Sequence, residues 1–411
     1  MPGQSSRVPP RCKARAVVVS APLGYGVGFG MSDPALETIP LSLPWLDERE
    51  LKRLSESLRG RVAGDGPFGQ RVEGRLAERL GVPHVLLTTS CTHALELALL
   101  ALELTPEDEV LCPAFTFTST ANAVLRAGAR LVLCDIEPVT LGLDPEQAEA
   151  RASRRCRALV PVHYGGLACE MGPLLELAAR RGLRVVEDAA QGFDASWRGR
   201  PLGTLGDAGA LSFHETKNVT CGEGGALILR DPALHARAEI MREKGTNRKA
   251  FLRGEVDRYT WVSAGSSYVL ADLLAALLDA QLDKAAEIQA RRSAVATRYR
   301  QELSPWAARW GVRLPADPVE RESNHHAFFL IFPEARARDQ ALAALRRRGV
   351  QAASHYEPLH SSPFGQTLPG AVGAFPVTER VARSLLRLPL HPLLTGAQVE
   401  RVIEAVLELQ A

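Results

Sequence analysis

The chain has 411 residues, of which 46% are hydrophobic and 23% charged, and its formal net charge is +2. This balance is typical of a globular protein, and the length suffices for two domains. The sequence has no sustained basic run and no apolar run of the roughly 20 residues that a membrane-spanning helix needs, so we expect neither nucleic acid nor a membrane as a partner.

The first thirty residues contain arginine, proline and glycine around one short apolar patch, AVVV. We expect residues 1–30 to be a disordered extension, or translation from too early a start with Met31 as the true first residue; a signal or transit peptide is the alternative. The seven cysteines are scattered and none forms a C-x-x-C pair. We therefore expect reduced thiols, a cytoplasmic location and no metal site.

From residue 45 to about 230, short apolar runs alternate with helical patterns. The runs are HVLLT (84–88), EVLCPAF (109–115), ARLVLCDI (129–136), ALVPVHY (158–164) and LRVVEDAA (183–190). Such alternation predicts an α/β fold with a parallel or mixed sheet covered by helices on both faces. GALSFH and GGALILR then predict two strands joined by a turn without a helix.

A long helical pattern at 270–301 separates this region from the rest of the chain. After it, AFFLIF (327–332), RDQALAALRRRG and VQAASHY (350–356) predict a β-α-β unit, and VARSLLRLPL and GAQVERVIEAVLEL close the chain. We therefore predict a large domain over 31–285 with the mixed sheet and a small C-terminal α+β domain over 286–411.

Lysine is rare in this chain, with six lysines against forty-three arginines. One of the six, Lys217, lies in SFHETKNVTCGEGGA, directly after an apolar strand pattern. A buried lysine can lose its proton and become a nucleophile, whereas arginine keeps its proton. Lys217 is therefore a candidate Schiff-base lysine; the alternative is a surface lysine in a hairpin turn.

Other polar and aromatic residues follow the ends of the predicted strands. Asp188 ends an apolar strand in VVEDAAQG, where a cationic ligand such as a pyridinium nitrogen or a helix N-terminus would partner it. Cys91 and Thr92 begin a helix, where free N–H groups bind phosphate or are simply capped, and Ser212 supplies a hydroxyl on the strand before the lysine. Phe117 ends the next strand and can stack on a planar ring.

With these residues the chain resembles the DegT/DnrJ/EryC1/StrS sugar aminotransferases, from about residue 38 to the C-terminus. Within that family, the runs SFHETKNVTCGEGGA, REKGTNR (242–248), YTWVSAGSSY (259–268) and VPVHYGGLACEM (160–171) are similar to dTDP-4-amino-4,6-dideoxygalactose transaminases. The resemblance implies the fold of type I pyridoxal-phosphate-dependent transferases, which is aspartate aminotransferase-like, and pyridoxal 5'-phosphate as the cofactor.

The resemblance also implies a role for each matching position. Lys217 would form the Schiff base, Asp188 would bind the pyridine nitrogen, Gln191 the ring hydroxyl, and Phe117 would stack on the ring. The phosphate would be held by Cys91, Thr92 and Ser212.

A homodimer with a shared active site is implied as well. Many family members contact the phosphate of the partner subunit through asparagine in a G-x-N-x-R motif, where this chain has Ser267 and Val269. Asn247 and Arg248 are other candidates for that contact. The sugar nucleotide would be contacted by residues whose alternative role is a structural hydrogen bond, namely His163, Tyr164, His355, Tyr356 and His360.

The activity implied is transamination of dTDP-4-dehydro-6-deoxy-D-glucose by L-glutamate, giving dTDP-4-amino-4,6-dideoxy-D-galactose and 2-oxoglutarate. An aminotransferase for a 3-keto or other nucleotide sugar is the nearest alternative. A non-catalytic cofactor-binding regulator is the alternative from another class, and the presence of both Lys217 and Asp188 argues against it. Lys217 also argues against a dehydratase of the same fold, which has histidine in its place.

Overall fold

The computed structural model describes residues 37–410, so the predictions made for residues 1–30 lie outside the described residues. The strands are β1 (His84–Thr88), β2 (Glu109–Pro113), β3 (Arg130–Cys134), β4 (Cys156–Leu159), β5 (Arg184–Asp188), β6 (Ser196–Trp197), β7 (Arg200–Pro201), β8 (Ala208–Ser212), β9 (Gly225–Leu229), β10 (Arg321–Glu322), β11 (Phe328–Ile331) and β12 (Leu385–Leu388).

The α-helices are α1 (Glu48–Leu58), α2 (Pro67–Leu80), α3 (Cys91–Ala101), α4 (Thr118–Arg126), α5 (Pro145–Arg151), α6 (Met171–Arg181), α7 (Pro232–Arg242), α8 (Arg248–Leu252), α9 (Asp272–Asp283), α10 (Ala285–Trp310), α11 (Ala335–Arg347), α12 (Pro376–Ser384) and α13 (Gly396–Leu407). Short 3-10 turns occur at Tyr164–Gly166, Gly365–Thr367 and Pro369–Ala371. No helix within residues 37–410 is long and apolar enough to cross a membrane.

Seven strands form one sheet in the order β1-β9-β8-β5-β4-β2-β3. β9 is antiparallel to both of its neighbours, and the pairs from β8 to β3 are all parallel. The predicted mixed α/β sheet is therefore confirmed. The carboxyl ends of β1, β5 and β8 and the amino end of β9 meet at the same edge, because Ser212 and Thr88 both pair with Gly225 and Asp188 pairs with Ala210 in the parallel register of β5 and β8.

Successive residues of the strands contribute to two different apolar clusters, as the two-residue period of a strand requires. One cluster includes Leu87, Leu111 and Leu211 and packs against α2, α6 and α9. The other includes the adjacent Leu86 and Val110 and packs against α3, α4 and α7. The sheet is therefore the middle of three layers, with helices packed on both of its faces.

The C-terminal third differs from prediction in two places. Residues 350–356 form no strand; Val350 instead makes an isolated bridge with Ile39, and β11 pairs with β12 to form a two-stranded antiparallel sheet. The helical pattern at 270–301 is divided at Lys284, whose buried Nζ lies 2.7 Å from Glu50 Oε1. The division into domains at 285/286 stays a prediction.

Candidate active site

A cavity of about 470 Å³ opens at the polar edge of the seven-stranded sheet. It collects residues from strand ends that are far apart in the chain, as expected for the carboxyl edge of an α/β sheet. Nine of the thirteen residues predicted from the sequence line it: Cys91, Thr92, Phe117, Asp188, Gln191, Ser212, Lys217, His355 and Tyr356.

Lys217 lies in the turn between β8 and β9, where its backbone N–H donates to the carbonyl of His214 at 2.9 Å. Among residues 37–410, no hydrogen bond or ion pair engages its Nζ, which borders the cavity. Burial lowers the pKa of Lys217, because the ammonium form loses hydration, while the nearby Cys91 and Asp188 oppose that shift. The structure therefore provides an unpaired amine that loses its proton more easily than an ordinary lysine.

Asp188 and Glu223 are the two carboxylates among the described residues that line the cavity, and Asp188 is 5% exposed. Its Oδ2 accepts the hydroxyl proton of Thr120 at 2.7 Å, and its Oδ1 accepts the N–H of Ala190 at 3.1 Å. The Thr120 hydroxyl also lies 2.8 Å from the Thr116 hydroxyl, and because its single proton goes to Asp188, Thr116 must be the donor. The series of hydrogen bonds from Thr116 through Thr120 holds the Asp188 carboxylate in one orientation.

The first turn of α3 borders the cavity next to Lys217. Ser90 is the N-cap and accepts the N–H of His93 at 3.1 Å. The N–H groups of Cys91 and Thr92 precede the first hydrogen bonds of the helix, so they are available to an anion. Burial raises the pKa of the Cys91 thiol well above its usual value, so this cysteine is a neutral thiol and not a nucleophile.

Hydroxyl groups complete this anion site. The Thr92 hydroxyl lies 2.7 Å from that of Ser119, and Ser212 reaches the same cavity from the end of β8. Gly225 allows β9 to pack against this turn, because a Cβ at this position would clash with the backbone nitrogen of Cys91. The start of α3 and three hydroxyl groups, those of Thr92, Ser119 and Ser212, therefore line the same cavity.

Aromatic and amide groups form the opposite wall. Phe117 is 59% exposed at the start of α4, and its ring centroid lies 6.3 Å from that of Tyr356. The Gln191 amide donates to the Tyr356 hydroxyl at 2.9 Å and accepts the N–H of Gly165 at 2.7 Å. One amide hydrogen of Gln191 remains for a ligand. A planar ring stacked on Phe117 would have this amide at its edge.

These groups fit pyridoxal 5'-phosphate, which carries a phosphate, a pyridine nitrogen, a ring hydroxyl and an aldehyde. The helix start and hydroxyls suit the phosphate, Asp188 suits the protonated ring nitrogen, and Gln191 suits the ring hydroxyl. The unpaired Nζ of Lys217 suits the aldehyde carbon. The chemistry of the donor set, and in particular a free amine beside a fixed carboxylate, supports this fit.

Four of the predicted residues, His163, Tyr164, Ser267 and His360, do not line the cavity. His163 is fully buried, with Nε2 2.9 Å from Glu187 Oε2. Glu187 also accepts hydrogen bonds from backbone N–H groups of the loop at 203–206. His163 therefore helps to hold Glu187, and through it this loop, in place. His360 stacks on Phe375 with ring centroids 4.2 Å apart, away from the cavity.

The other two are placed differently. Tyr164 is 2% exposed, and its hydroxyl lies 3.1 Å from Nδ1 of His355. It therefore contacts His355, which lines the cavity, without lining the cavity itself. Ser267 is exposed at the surface, where it pairs with Glu243 in an isolated bridge. We leave His163 and His360 out of the proposed substrate site and give Tyr164 an indirect place in it.

The cavity also contains residues that the sequence did not indicate. Ser119, His326 and Arg387 line it, and Thr120 positions Asp188. Burial lowers the pKa of His326 well below its usual value, so its ring is neutral, and its Nδ1 lies 3.1 Å from the Asn218 side chain. A signal was available for Arg387, which is the one charge in the apolar run LLRLPL.

The comparisons with known proteins agree with this geometry. The model of the DegT/DnrJ/EryC1/StrS aminotransferase family matches residues 44–407. The chain is 34% identical over 379 residues to the spore coat polysaccharide biosynthesis protein SpsC of Bacillus subtilis, a match covering 90% of this chain and 97% of that protein.

Solved structures are similar over the same length. The aminotransferase TlmJ from Streptoalloteichus hindustanus is 34% identical with a TM-score of 0.82, covering 90% of this chain and 97% of that one. The protein Spr1654 from Streptococcus pneumoniae, in its PMP form, is 25% identical with a TM-score of 0.84, covering 89% of this chain and 98% of that one. Structures of Spr1654 were also determined in its PLP form.

These matches confirm the predicted fold class of the type I transferases, and they agree with pyridoxal phosphate as the predicted cofactor. They also confirm the family that the motifs around Lys217 indicated. The chain belongs to the DegT/DnrJ/EryC1/StrS aminotransferase family.

Proposed function

We propose that this protein uses pyridoxal 5'-phosphate to transfer the amino group of L-glutamate to the keto carbon of a nucleotide-linked sugar. The observation that carries the proposal is the unpaired amine of Lys217 in one cavity with the fixed carboxylate of Asp188. When bound, the cofactor supplies an electrophilic carbon for amines and a ring that takes up electrons from the carbon being deprotonated.

The protein's own residues then hold the ring and move protons. Asp188, aligned by Thr120, would keep a proton on the ring nitrogen. The lowered pKa of Lys217, caused first by burial, lets its free Nζ take a proton from the α-carbon of the donor and return it to a neighbouring carbon. The N–H groups at the start of α3 would fix the phosphate, so that the ring cannot drift from Lys217.

For the sugar, we propose dTDP-4-dehydro-6-deoxy-D-glucose, with dTDP-4-amino-4,6-dideoxy-D-galactose and 2-oxoglutarate as products. The similarity of the runs around Lys217 and at 160–171 to transaminases of this sugar supports the choice. His355 and Tyr356 line the cavity and remain the proposed sugar contacts. We place the activity in the cytoplasm, where the six buried free cysteines of the described residues would stay reduced.

We also propose a homodimer with a shared active site. Large apolar side chains are exposed between residues 251 and 262, among them Trp261 at 76% and Tyr259 at 52%, and a partner subunit would cover them. Asn247 is already used within its own loop, where its amide holds the backbone of Arg258 and Thr260. The exposed Ser267 is therefore the proposed contact to the phosphate of the partner.

The test is a product analysis with L-glutamate and a panel of keto sugars. We expect the loaded enzyme to convert dTDP-4-dehydro-6-deoxy-D-glucose to a sugar with its amine at C4, identified by mass spectrometry and NMR. Conversion of only the 3-keto isomer would reassign the regiochemistry, and conversion of only a UDP- or GDP-sugar would reassign the nucleotide. No transfer from glutamate to any keto sugar would contradict the proposal.

The dimer is tested separately by light scattering. The wild type should have twice the mass of the chain, and Trp261→Arg should shift it toward the monomer. A monomeric wild type, or a dimer that Trp261→Arg leaves intact, would contradict the proposed interface.

A further inference from the structure

His326 borders the cavity with one ring nitrogen unused. Its side chain is 6% exposed, and its Nδ1 lies 3.1 Å from Oδ1 of Asn218. The Asn218 amide is oriented by its Nδ2, which donates to the backbone carbonyl of Asn324 at 2.9 Å. Because an amide oxygen only accepts, Nδ1 of His326 must carry a proton, which leaves the lone pair of the neutral ring on Nε2. Among residues 37–410, this Nε2 makes no hydrogen bond.

The lone pair is available because the ring stays neutral. Burial, the largest cause, lowers the pKa of His326 well below its usual value. Positive charges on nearby groups act in the same direction, namely those of Lys217, Arg387, Arg292 and His355. His326 therefore accepts hydrogen bonds at Nε2 and does not take up a proton itself.

Hydrogen bonds to its backbone fix the position of His326. Nη2 of Arg292, on α10, donates to the carbonyls of His325 and His326 at 2.9 and 2.7 Å. Asn324 Oδ1 accepts the N–H of His326 at 2.9 Å, while its Nδ2 donates to the carbonyl of Gln191 at 2.7 Å. The imidazole is therefore held against the loops of the large sheet, with little freedom to turn.

Two other acceptors in the cavity face other groups. The Asp188 carboxylate accepts the hydroxyl proton of Thr120 at 2.7 Å. Nε2 of His355 lies 3.5 Å from a guanidinium nitrogen of Arg387. The lone pair of His326 has no such partner, so it is left for a donor inside the cavity.

We propose that His326 positions Lys217 by accepting a hydrogen bond from Nζ whenever that amine is free, an inference that rests on the proposed function. Lys217 immediately precedes Asn218, so the contact between Asn218 and His326 brings the imidazole to the turn that carries the amine. A neutral amine has two hydrogens and one lone pair. One hydrogen directed to Nε2 of His326 leaves the lone pair free to take the proton of the donor α-carbon.

This hydrogen bond holds Nζ through both proton transfers. Nζ takes the α-proton with its lone pair, and the electrons of the broken C–H bond remain with the carbon and the ring to which it is joined. The resulting ammonium keeps one of its three hydrogens on His326 and returns a proton to the neighbouring carbon. Without this acceptor, the flexible four-carbon stem of Lys217 can turn away from the reacting carbons.

The experiment compares His326→Asn and His326→Gln with His325→Asn as the matched control. The amide nitrogen of asparagine replaces Nδ1 and keeps the bond to Asn218, but it leaves no acceptor at the position of Nε2. The longer glutamine places its amide oxygen near that position. His325 is adjacent, does not line the cavity, and has a φ of +50°, which asparagine tolerates.

Stopped-flow absorbance follows the visible band of the pyridoxal-phosphate-loaded protein after addition of L-glutamate with hydrogen or deuterium on its α-carbon. We expect His326→Asn to lower the maximal rate of band loss about 10- to 100-fold and to keep or raise the isotope effect, because the proton transfer itself is slowed. The half-saturating glutamate concentration should not change. His326→Gln should recover part of the rate, and His325→Asn should match the wild type.

Three results would overturn the inference. The first is an unchanged rate in His326→Asn. The second is a lowered rate with an isotope effect below that of the wild type, because another step would then have been slowed. The third is a wild-type rate with weakened binding of the dTDP-sugar, measured by calorimetry on the pyridoxamine-phosphate-loaded protein, which would assign His326 to a sugar hydroxyl.

A crystal structure of the wild type loaded with pyridoxamine phosphate tests the contact without a variant. We expect Nζ of Lys217 within about 3.2 Å of Nε2 of His326, and an Nζ that bonds another group instead would overturn the assignment. The proposed function fails in a different way, namely when the wild type shows no response to any amino donor.

Discussion

Replacing Thr120 by valine tests how the structure holds Asp188. The Thr120 hydroxyl donates to Asp188 Oδ2 at 2.7 Å and accepts from Thr116, 2.8 Å away, and all three side chains are buried. Valine keeps nearly the same shape but removes both bonds. The Asp188 carboxylate then loses its side-chain donor, and the Thr116 hydroxyl loses its acceptor.

The magnitude follows from these two losses. A hydrogen bond to a charged group contributes about 1.5–3 kcal/mol, and a neutral one about 1 kcal/mol. We expect Thr120→Val to lower the free energy of unfolding by about 2.5–4 kcal/mol, and Thr116→Val by about 1 kcal/mol. Because the Thr116 bond exists only when Thr120 is present, the double variant should cost about 1 kcal/mol less than the sum of the single variants.

Urea unfolding of the apoprotein measures these values, with Thr118→Val as the control. Thr118 begins the same helix, is exposed and makes no side-chain hydrogen bond among the described residues. A fluorescence titration with pyridoxal phosphate should give weaker binding for Thr120→Val and wild-type binding for Thr118→Val. If Thr120→Val were as stable as the control, or the two threonines did not couple, the account of Asp188 would be wrong.

Three further results are expected. Gly225→Ala should displace the start of α3 and weaken pyridoxal phosphate binding at least tenfold, because the added methyl group meets backbone atoms; Gly74→Ala on α2, with no atom within 4 Å, should bind normally. In the apoprotein, amine labelling of Lys217 should reach half its maximum at a lower pH than that of the lysine side chain in a short unstructured peptide, since a lowered pKa leaves more free amine at each pH; coincident curves would contradict this. Glu187→Gln should lower the free energy of unfolding by about 3 kcal/mol. The NH2 group of glutamine would face backbone N–H groups that now donate to the Glu187 carboxylate, and these N–H groups would lose their acceptor. Chemical unfolding indistinguishable from that of the wild type would refute this prediction.

The sequence could predict the residues that follow the ends of the sheet strands. Asp188 and Ser212 end strands whose apolar pattern is clear, and the parallel register of β5 and β8 brings these ends to one edge. Lys217 and the start of α3 follow from the same reasoning, because a local motif identifies each of them. In such cases the short-range pattern and the sheet topology together determine where the side chain lies.

The residues contributed by the C-terminal third could not be placed in this way. Arg387 and His326 are more than a hundred residues beyond Lys217, and only tertiary packing brings them to the cavity. The same limitation applies to His163, which looks like a substrate ligand in HYGG but is enclosed with Glu187. A polar residue next to a motif does not reveal from the sequence whether it faces the cavity or the core.

The two errors in secondary structure have a similar cause. Residues 350–356 have an apolar pattern, but they make only two isolated bridges, one from Val350 to Ile39, more than three hundred residues earlier, and one from Ala353 to Arg387, and isolated bridges do not make a strand. The pattern at 270–301 continues through Lys284, whose charge is taken up by Glu50 on α1. Periodicity describes which side of a segment is buried, and it carries no information about a distant partner.

The most direct test of the central claim is the visible absorption spectrum of the protein loaded with pyridoxal phosphate, recorded for the wild type and for Lys217→Ala. We expect a visible band in the wild type that disappears on addition of L-glutamate as 2-oxoglutarate forms. In Lys217→Ala this band should be absent or should not respond. A wild-type band that glutamate leaves unchanged, or a Lys217→Ala variant that responds like the wild type, would contradict the assignment of this amine as the centre of an aminotransferase site.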